Sequence, residues 1–335
     1  MTLLAESYVH HIDPYVVRIS GDFGIRWYGL AYLTGFVIAW LVMRWMAKSG
    51  RVLLKPAQVA DFVTAMIVGV LVGGRVGHAI FYDRSLLTTF TSTPPFWELF
   101  AIHHGGMSSH GGIIGVILAC IWFGRRNGLP TWHLLDIVAF TCPAGLGLGR
   151  VANFINGELW GRPLPDSMRA DPPWWSIKYP EEILSKGFDA NRLVPLVDYI
   201  DPRQPLAQSI FQDAQRGRTI VIEHLAPLLT PHWPSQIFQA ITDGAILPAV
   251  LVIVWWKPRV PGVVAAWFLM AYGALRFTTE QFRTPDQDVL TIAGATLPMW
   301  LSIAMIVAGL LVLATIGRRD VPRLGGLRRP STPAT

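Results

Sequence analysis

Long runs of uncharged, apolar residues alternate with short charged loops along most of the chain. A helix needs about 20 apolar residues to cross the hydrocarbon core of a bilayer. Seven runs are predicted to do so, at 27–46, 62–82, 111–123, 132–148, 237–256, 262–282 and 297–316. The pattern therefore predicts an all-α polytopic membrane protein with about seven transmembrane helices.

Two segments break this pattern. Residues 164–230 are polar and rich in proline, which is typical of a head or arm outside the membrane, and residues 320–335 combine Pro, Arg, Ser and Thr, which favours disorder. The predicted organisation is helices 1–4 within 1–163, an extracytoplasmic head at 164–230, helices 5–7 within 231–319, and a basic tail at 320–335.

The basic residues of the short loops predict the orientation. They cluster after the first, third, fifth and seventh runs, at Lys48, Arg51, Lys55, Arg125, Arg126, Lys257, Arg259, Arg318 and Arg319. Cytoplasmic loops carry such an excess of Lys and Arg. We therefore expect the N-terminus and the head to lie outside and the C-terminus to be cytoplasmic.

Composition supports this class. Of 335 residues, 52% are apolar and 15% charged, which excludes an ordinary soluble domain or a disordered chain. The net charge of +6 is explained by the cytoplasmic loops on anionic lipid, so no nucleic-acid partner is expected. Cys120 and Cys142 lie in apolar runs, where thiols pack as small hydrophobes.

Ionisable residues in the second run suggest a polar network, because such groups are costly in hydrocarbon. Arg75, His78 and Tyr82 fall within an arc of roughly 60° on one helix face. The same run has glycines at a spacing of four, which allow a neighbouring backbone to approach: Gly69, Gly73 and Gly77. Arg75 either lines an interior polar surface or is a structural arginine bonded to carbonyls.

The sixth run carries a second polar face, formed by Tyr272, Arg276, Glu280 and Arg283. Glu280 can pair with Arg276 one turn before it and with Arg283 one turn after it. A purely structural ladder is one interpretation of these charges. Two cations against one carboxylate leave a positive charge for an anion, and we expect Arg276 to be the free one.

Two further stretches place polar groups beside glycines at the predicted outer boundary, at 103–112 and 149–163. Irregular backbone at this depth must line a cavity or pack within protein. The first contains three histidines, His103, His104 and His110. No cysteine or carboxylate stands at ligand spacing to complete a metal site with them. We therefore predict neither a metal nor another cofactor.

These stretches resemble the prolipoprotein diacylglyceryl transferase family of bacterial membrane enzymes. The segment 149–161 is similar to the family signature, with Gly-Arg, Asn-Phe, Asn, Glu and a closing Gly at matching positions. Four other segments match in chain order, at 26–30, 73–82, 105–112 and 272–283. One motif departs from the family, because Phe238 and Gln239 stand where it has Tyr and Glu, so neither receives a catalytic role.

The resemblance implies an inner-membrane enzyme that transfers the diacylglyceryl group of phosphatidylglycerol to the lipobox cysteine of a preprolipoprotein signal peptide. His110 is the implied base with Glu158 in reserve, and Arg150 and Arg276 would hold the phosphate. Asn153, Tyr272 and Tyr28 would orient the headgroup, with Asn156 and Gly161 also implied in lipid binding. The expected partners are this lipid, the signal peptide and the bilayer.

Two other classes of protein remain open. A secondary transporter could use the buried Arg, His and Glu residues as a substrate or proton path, although no internal repeat is visible. An intramembrane protease is less favoured, because the sequence contains no HExxH or comparable signature.

Overall fold

The computed structural model describes residues 7–20, 23–101, 105–199, 205–285, 291–316 and 320–328. The chain forms two compact units. The first comprises 1–35, 143–248 and 271–307, and the second comprises 36–142, 249–270 and 308–335.

The chain is mostly helical. In chain order the α-helices are α1 (Trp27–Lys48), α2 (Val59–Phe81), α3 (Ser109–Asn127), α4 (Thr131–Ile155), α5 (Asp166–Arg169), α6 (Leu206–Gln215), α7 (Thr219–Leu225), α8 (Ser235–Ile241), α9 (Leu247–Val254), α10 (Val263–Glu280) and α11 (Leu297–Ile316). A π-helical turn, Thr242–Ile246, joins α8 to α9. The mostly helical architecture predicted from the apolar runs is confirmed.

Five helical segments within the described residues are long and apolar enough to cross a membrane. They are Trp27–Lys48, Pro56–Phe81, Thr131–Ile155, Ser235–Val254 and Leu297–Ile316. The other two predicted spans correspond to α3 and α10, which are helices of 19 and 18 residues with several glycines or charges. The structure therefore supports a polytopic protein, and the count of seven stays a prediction.

Short strands accompany the helices and were not predicted. Strands β1 (Tyr8–Val9), β4 (Ile177–Lys178) and β5 (Pro231–His232) form one sheet, in which β1–β4 is parallel and β4–β5 antiparallel. The other two sheets are antiparallel pairs: β2 (Tyr15–Ser20) with β3 (Phe23–Arg26), and β6 (Thr291–Ile292) with β7 (Ala295–Thr296). Most are too short to show the alternation that identifies a strand.

The proline-rich segment after α4 has its own hydrophobic core within the first unit. Helices α6 and α7 and the preceding turns bury aliphatic side chains against one another, including Leu193, Leu196, Ile210, Val221 and Leu225. Buried apolar area of this kind is the main favourable contribution to folding. Residues 164–230 therefore contain a small packed hydrophobic cluster, although their composition is polar.

In the second unit, α2 and α3 approach to backbone contact. A Cβ on Gly73 would lie 2.8 Å from the Cα of Gly115, and a Cβ on Gly77 would lie 2.6 Å from the Cα of Gly111. The close approach expected from the four-residue glycine spacing is confirmed.

The first part of the C-terminal tail also packs within the second unit. The Leu324 and Arg259 backbones exchange hydrogen bonds of 2.7 and 3.0 Å, and the Arg51 Nε donates to the Leu327 carbonyl at 3.0 Å. This order in 320–328 differs from the disorder expected from composition, because the segment finds backbone partners that composition does not reveal. Residues 329–335 lie outside the described part of the chain.

Candidate active site

Arg150 is held by a buried ion pair in the first unit. Helix α4 continues to Ile155, beyond the predicted end at residue 148, and so carries Arg150 and Asn153 on regular helix. The Arg150 Nε donates to Asp243 Oδ2 at 3.1 Å, and the Asp243 side chain is 2% exposed. Arg150 therefore has a fixed carboxylate partner that the sequence analysis did not identify.

A second arginine–carboxylate pair lies on α10. Glu280 Oε2 is 2.7 Å from Arg276 Nη2 and 3.9 Å from Arg283 Nη1. The expectation that Arg276 is the free cation is therefore wrong, because the i, i+4 geometry brings its guanidinium closer to the carboxylate. Within the described residues, however, Arg276 Nη1 is buried and has no hydrogen-bond partner.

The two pairs lie within electrostatic range of each other. Arg150 interacts with Arg276 and hydrogen-bonds to Tyr272, and Asp243 interacts with both arginines. The negative charges of the Asp243 and Glu280 carboxylates offset the positive charges of the Arg150 and Arg276 guanidiniums, because unpaired charges are costly to bury. An anionic ligand can therefore bind mainly to the guanidinium N–H groups that do not contact Asp243 or Glu280, including Arg276 Nη1.

Glu158 is the centre of a hydrogen-bond network beyond the end of α4. Its Oε1 accepts from Asn156 Nδ2 at 2.8 Å, and its Oε2 accepts from Asn153 Nδ2 at 3.5 Å. Asn153 Nδ2 also donates to the Tyr28 hydroxyl at 3.3 Å, and Gln236 Nε2 donates to the Glu158 carbonyl at 2.6 Å. The structure thus brings together four residues that the sequence analysis selected and adds Gln236.

Gly161 belongs to the packing of this segment. A Cβ at this position would overlap the Trp233 carbonyl, and Gly161 pairs with Arg283 in an isolated bridge. Arg283 also accepts, at its carbonyl, a hydrogen bond of 3.1 Å from Arg162 Nε. Gly161 is therefore closely packed against backbone, and its implied role in lipid binding stays a prediction.

Titratable groups outside the predicted spans flank the Glu158 segment. Burial, together with the nearby Glu158 carboxylate, raises the pKa of Glu181. Burial lowers the pKa of His10 and of His232, and His10 Nε2 lies 2.7 Å from the Phe154 carbonyl oxygen at the end of α4. Both imidazoles are therefore neutral at pH 7.

Arg75 lies in the second unit, where it is almost fully buried among carbonyl groups. Its Nε donates to the Leu99 carbonyl at 2.9 Å, and its Nη2 donates to the Glu98 carbonyl at 2.6 Å. Its Nη1 donates to the carbonyls of Gly105 and Gly106. This geometry is that of the structural arginine, one of the two interpretations of the sequence.

His78 near the end of α2 stacks on Tyr82, the C-cap residue of that helix, with ring centroids 5.4 Å apart. His110 is exposed in the first turn of α3, whose N-cap is Ser108, because the Ser108 hydroxyl accepts from the Gly111 amide at 3.2 Å. His103 and His104 lie outside the described residues. No group of three possible metal ligands occurs in the part of the chain that the structure describes.

Of the two residues that depart from the family motif, Phe238 is half-buried and Gln239 is buried. Phe238 packs on Trp233 and Phe282, with ring centroids 6.3 and 5.4 Å away. Gln239 is 2% exposed, and its Nε2 has no hydrogen-bond partner among the described residues. Asp243, one turn further on, is the residue that sequence reasoning missed; a lone carboxylate in an apolar run is the signal that identifies it.

Comparison with known proteins agrees with these motifs. The family model described as prolipoprotein diacylglyceryl transferase matches residues 14–315. Relatives named phosphatidylglycerol–prolipoprotein diacylglyceryl transferase are 40% identical in Bdellovibrio bacteriovorus, over 96% of this chain and 97% of that protein, and 36% identical in Proteus mirabilis, over 97% and 96%. A relative of the same name in Yersinia enterocolitica is 38% identical over 93% and 96%. The chain belongs to the prolipoprotein diacylglyceryl transferase family.

Proposed function

We propose that this protein transfers the diacylglyceryl group of phosphatidylglycerol to the lipobox cysteine of a preprolipoprotein. The cysteine loses its proton, and the thiolate attacks the glyceryl carbon bonded to the phosphate oxygen. A carbon–sulfur bond forms, the carbon–oxygen bond breaks, and glycerol phosphate leaves with the electron pair. The negative charge of the thiolate thus ends on the departing phosphate.

The two largely buried arginines, each beside a buried carboxylate, are the observation that carries this proposal. Arg150 and Arg276 lie within electrostatic range of each other, and Arg276 keeps a buried, unpartnered Nη1. Guanidinium donors fixed in a water-poor site stabilise developing charge on a phosphate without any metal. Their carboxylate partners hold them in place before the substrate arrives.

Polar residues of the first unit, and His110 of the second, have supporting roles in this proposal. Asn153, Tyr28 and Tyr272 orient the headgroup by hydrogen bonds, and Asn156 steadies Glu158. His110 is the proposed base for the thiol, and its exposed position leaves it accessible to a peptide. Glu158 is the second candidate, because its carboxylate already accepts hydrogen bonds in the same network.

The proposed setting is the bacterial inner membrane. In the proposed topology α3 and α10 also cross the membrane, which makes seven spans. The basic loops then predict that the N-terminus and the head lie outside and that the C-terminus is cytoplasmic. The lipobox cysteine of a signal peptide is then accessible from the outer side. The family match favours this transferase over the secondary transporter.

The test is transfer by purified protein in mixed micelles of labelled phosphatidylglycerol with a lipobox peptide. We expect label on the cysteine peptide, none on its Cys→Ser counterpart, and much slower transfer from phosphatidylethanolamine. Absence of transfer to the cysteine peptide from phosphatidylglycerol, by protein shown to be folded, would refute the proposed function. Equal rates from the two lipids would remove the proposed headgroup recognition.

A further inference from the structure

Asp243 is a carboxylate in an otherwise apolar part of the chain. The residues from 237 to 256 contain no other charged group, and the Asp243 side chain is 2% exposed. A buried carboxylate is costly unless it is paired, and its partner here is the Nε of Arg150, 93 residues earlier in the chain. The ion pair with Arg150 therefore offsets the cost of burying the Asp243 carboxylate.

The backbone around Asp243 is specialised for this contact. The π-helical turn Thr242–Ile246 interrupts the helix formed by α8 and α9 at this position. Such turns add a residue to the helix, change which side chains share a face, and occur frequently at functional sites. Asp243 thus lies in a π-helical turn rather than on a regular α-helix.

A glycine pair brings α4 to the same place. A Cβ on Gly147 would lie 2.5 Å from the Cα of Gly244, so the two backbones touch next to Asp243 and one turn before Arg150. With larger residues at either position the helices would move apart, and the short ion pair would be lost. The π-helical turn and the glycine contact both allow the short ion pair between Asp243 and Arg150.

Arg150 and Arg276 each have one short contact with a carboxylate. Asp243 engages Arg150 through Nε, and Glu280 engages Arg276 through Nη2. Each carboxylate takes one nitrogen of its arginine, which fixes the guanidinium and leaves other N–H groups for further acceptors. Without Asp243, Arg150 would face Arg276 with no carboxylate of its own to orient it.

We propose that Asp243 is a positioning residue for the transferase reaction, which holds the Arg150 guanidinium in the orientation that grips the phosphate as glycerol phosphate leaves. This inference rests on the proposed function. It assigns to Asp243 no contact with the lipid or the thiol. Its contribution passes through Arg150.

The expected result is a loss of turnover without a loss of lipid affinity. We expect Asp243→Ala to lower kcat per folded molecule about 10- to 100-fold, the effect of misplacing a catalytic group by about 1 Å. The apparent KM for phosphatidylglycerol should stay equal or fall, because removing a negative charge does not weaken anion binding. Asp243→Asn keeps an acceptor for Nε and should retain more activity than Asp243→Ala.

The double variant tests whether the two residues act together. If Asp243 acts through Arg150, Arg150→Lys combined with Asp243→Ala should be no slower than Arg150→Lys alone. Fully multiplicative effects would overturn the proposal, as would kcat of Asp243→Ala within twofold of the unmodified protein. If Asp243→Ala does not fold, the same comparisons are made with Asp243→Asn.

A second buried aspartate provides the matched control. Asp136 is 2% exposed and accepts from the amides of Gly262 and Ala265 at 2.7 and 2.8 Å, which stabilises the start of α10. Asp136→Asn should lower the amount of folded protein while kcat per folded molecule stays normal. No transfer by the unmodified protein would refute the proposed function, whereas normal transfer by the Asp243 variants would refute only this inference.

Discussion

At the residue scale, the two arginines differ from lysine in geometry rather than in charge. A guanidinium can bind its carboxylate and a phosphate at the same time through different nitrogens, whereas one ammonium cannot present the same planar fork. Arg150→Lys and Arg276→Lys should each raise the barrier by about 2 to 4 kcal/mol, or about 30- to 1000-fold in rate. Initial transfer rates per folded molecule measure this.

A Glu280 variant distinguishes a catalytic role of Arg276 from a role in folding. If Arg276 only stabilises the fold through Glu280, 2.7 Å away, then Arg276→Lys is nearly silent and Glu280→Gln mainly reduces folded protein. Near-normal rates for both arginine variants would contradict the phosphate-binding role. The membrane content of each variant, measured beside its rate, keeps the two effects apart.

At the element scale, the contact between α2 and α3 depends on glycines that have no room for a methyl group. A Cβ on Gly115 would overlap the Gly69 carbonyl, whereas a Cβ on Gly112, one turn earlier, would meet the Val70 carbonyl oxygen at an ordinary 3.8 Å. Gly115→Ala should therefore destabilise the protein by about 1 to 3 kcal/mol through overpacking. The thermal unfolding midpoint in detergent measures the change.

Gly112→Ala is the matched control for that measurement. Alanine favours helix over glycine by about 1 kcal/mol, so this variant should unfold at the same or a higher temperature. A Gly115→Ala protein as stable as the Gly112→Ala protein would show that α2 and α3 do not need backbone contact.

At the scale of the whole molecule, the basic loops predict one topology. Reporter fusions after Arg126 and after Arg319 should be cytoplasmic, and a fusion near Asp189 in the head should be extracytoplasmic. Alkaline phosphatase, active only outside, and a fluorescent protein, fluorescent only inside, give opposite signals at each position. A cytoplasmic signal at Asp189 would reverse the orientation and place the head on the wrong side for the lipobox cysteine.

The sequence by itself determined the helices and the family. Apolar length predicted α11 at its observed bounds, 297–316, and the start of α1 at Trp27, because the cost of exposing backbone amides to hydrocarbon leaves few alternatives to helix. The Gly-Arg to Gly motif at 149–161 pointed to the candidate site for a similar reason. Irregular, glycine-rich backbone at membrane depth is tolerated only where it packs within protein or lines a cavity.

Only the tertiary structure decided which charges are paired. Asp243 and Arg150 meet because a π-helical turn and the Gly147–Gly244 contact bring distant helices together, and neither feature follows from local periodicity. The choice of Glu280 between two arginines, and the carbonyl groups that surround Arg75, likewise depend on side-chain directions and loop paths. Hydrophobic patterning specifies which face of a helix is buried, and long-range packing specifies what that face meets.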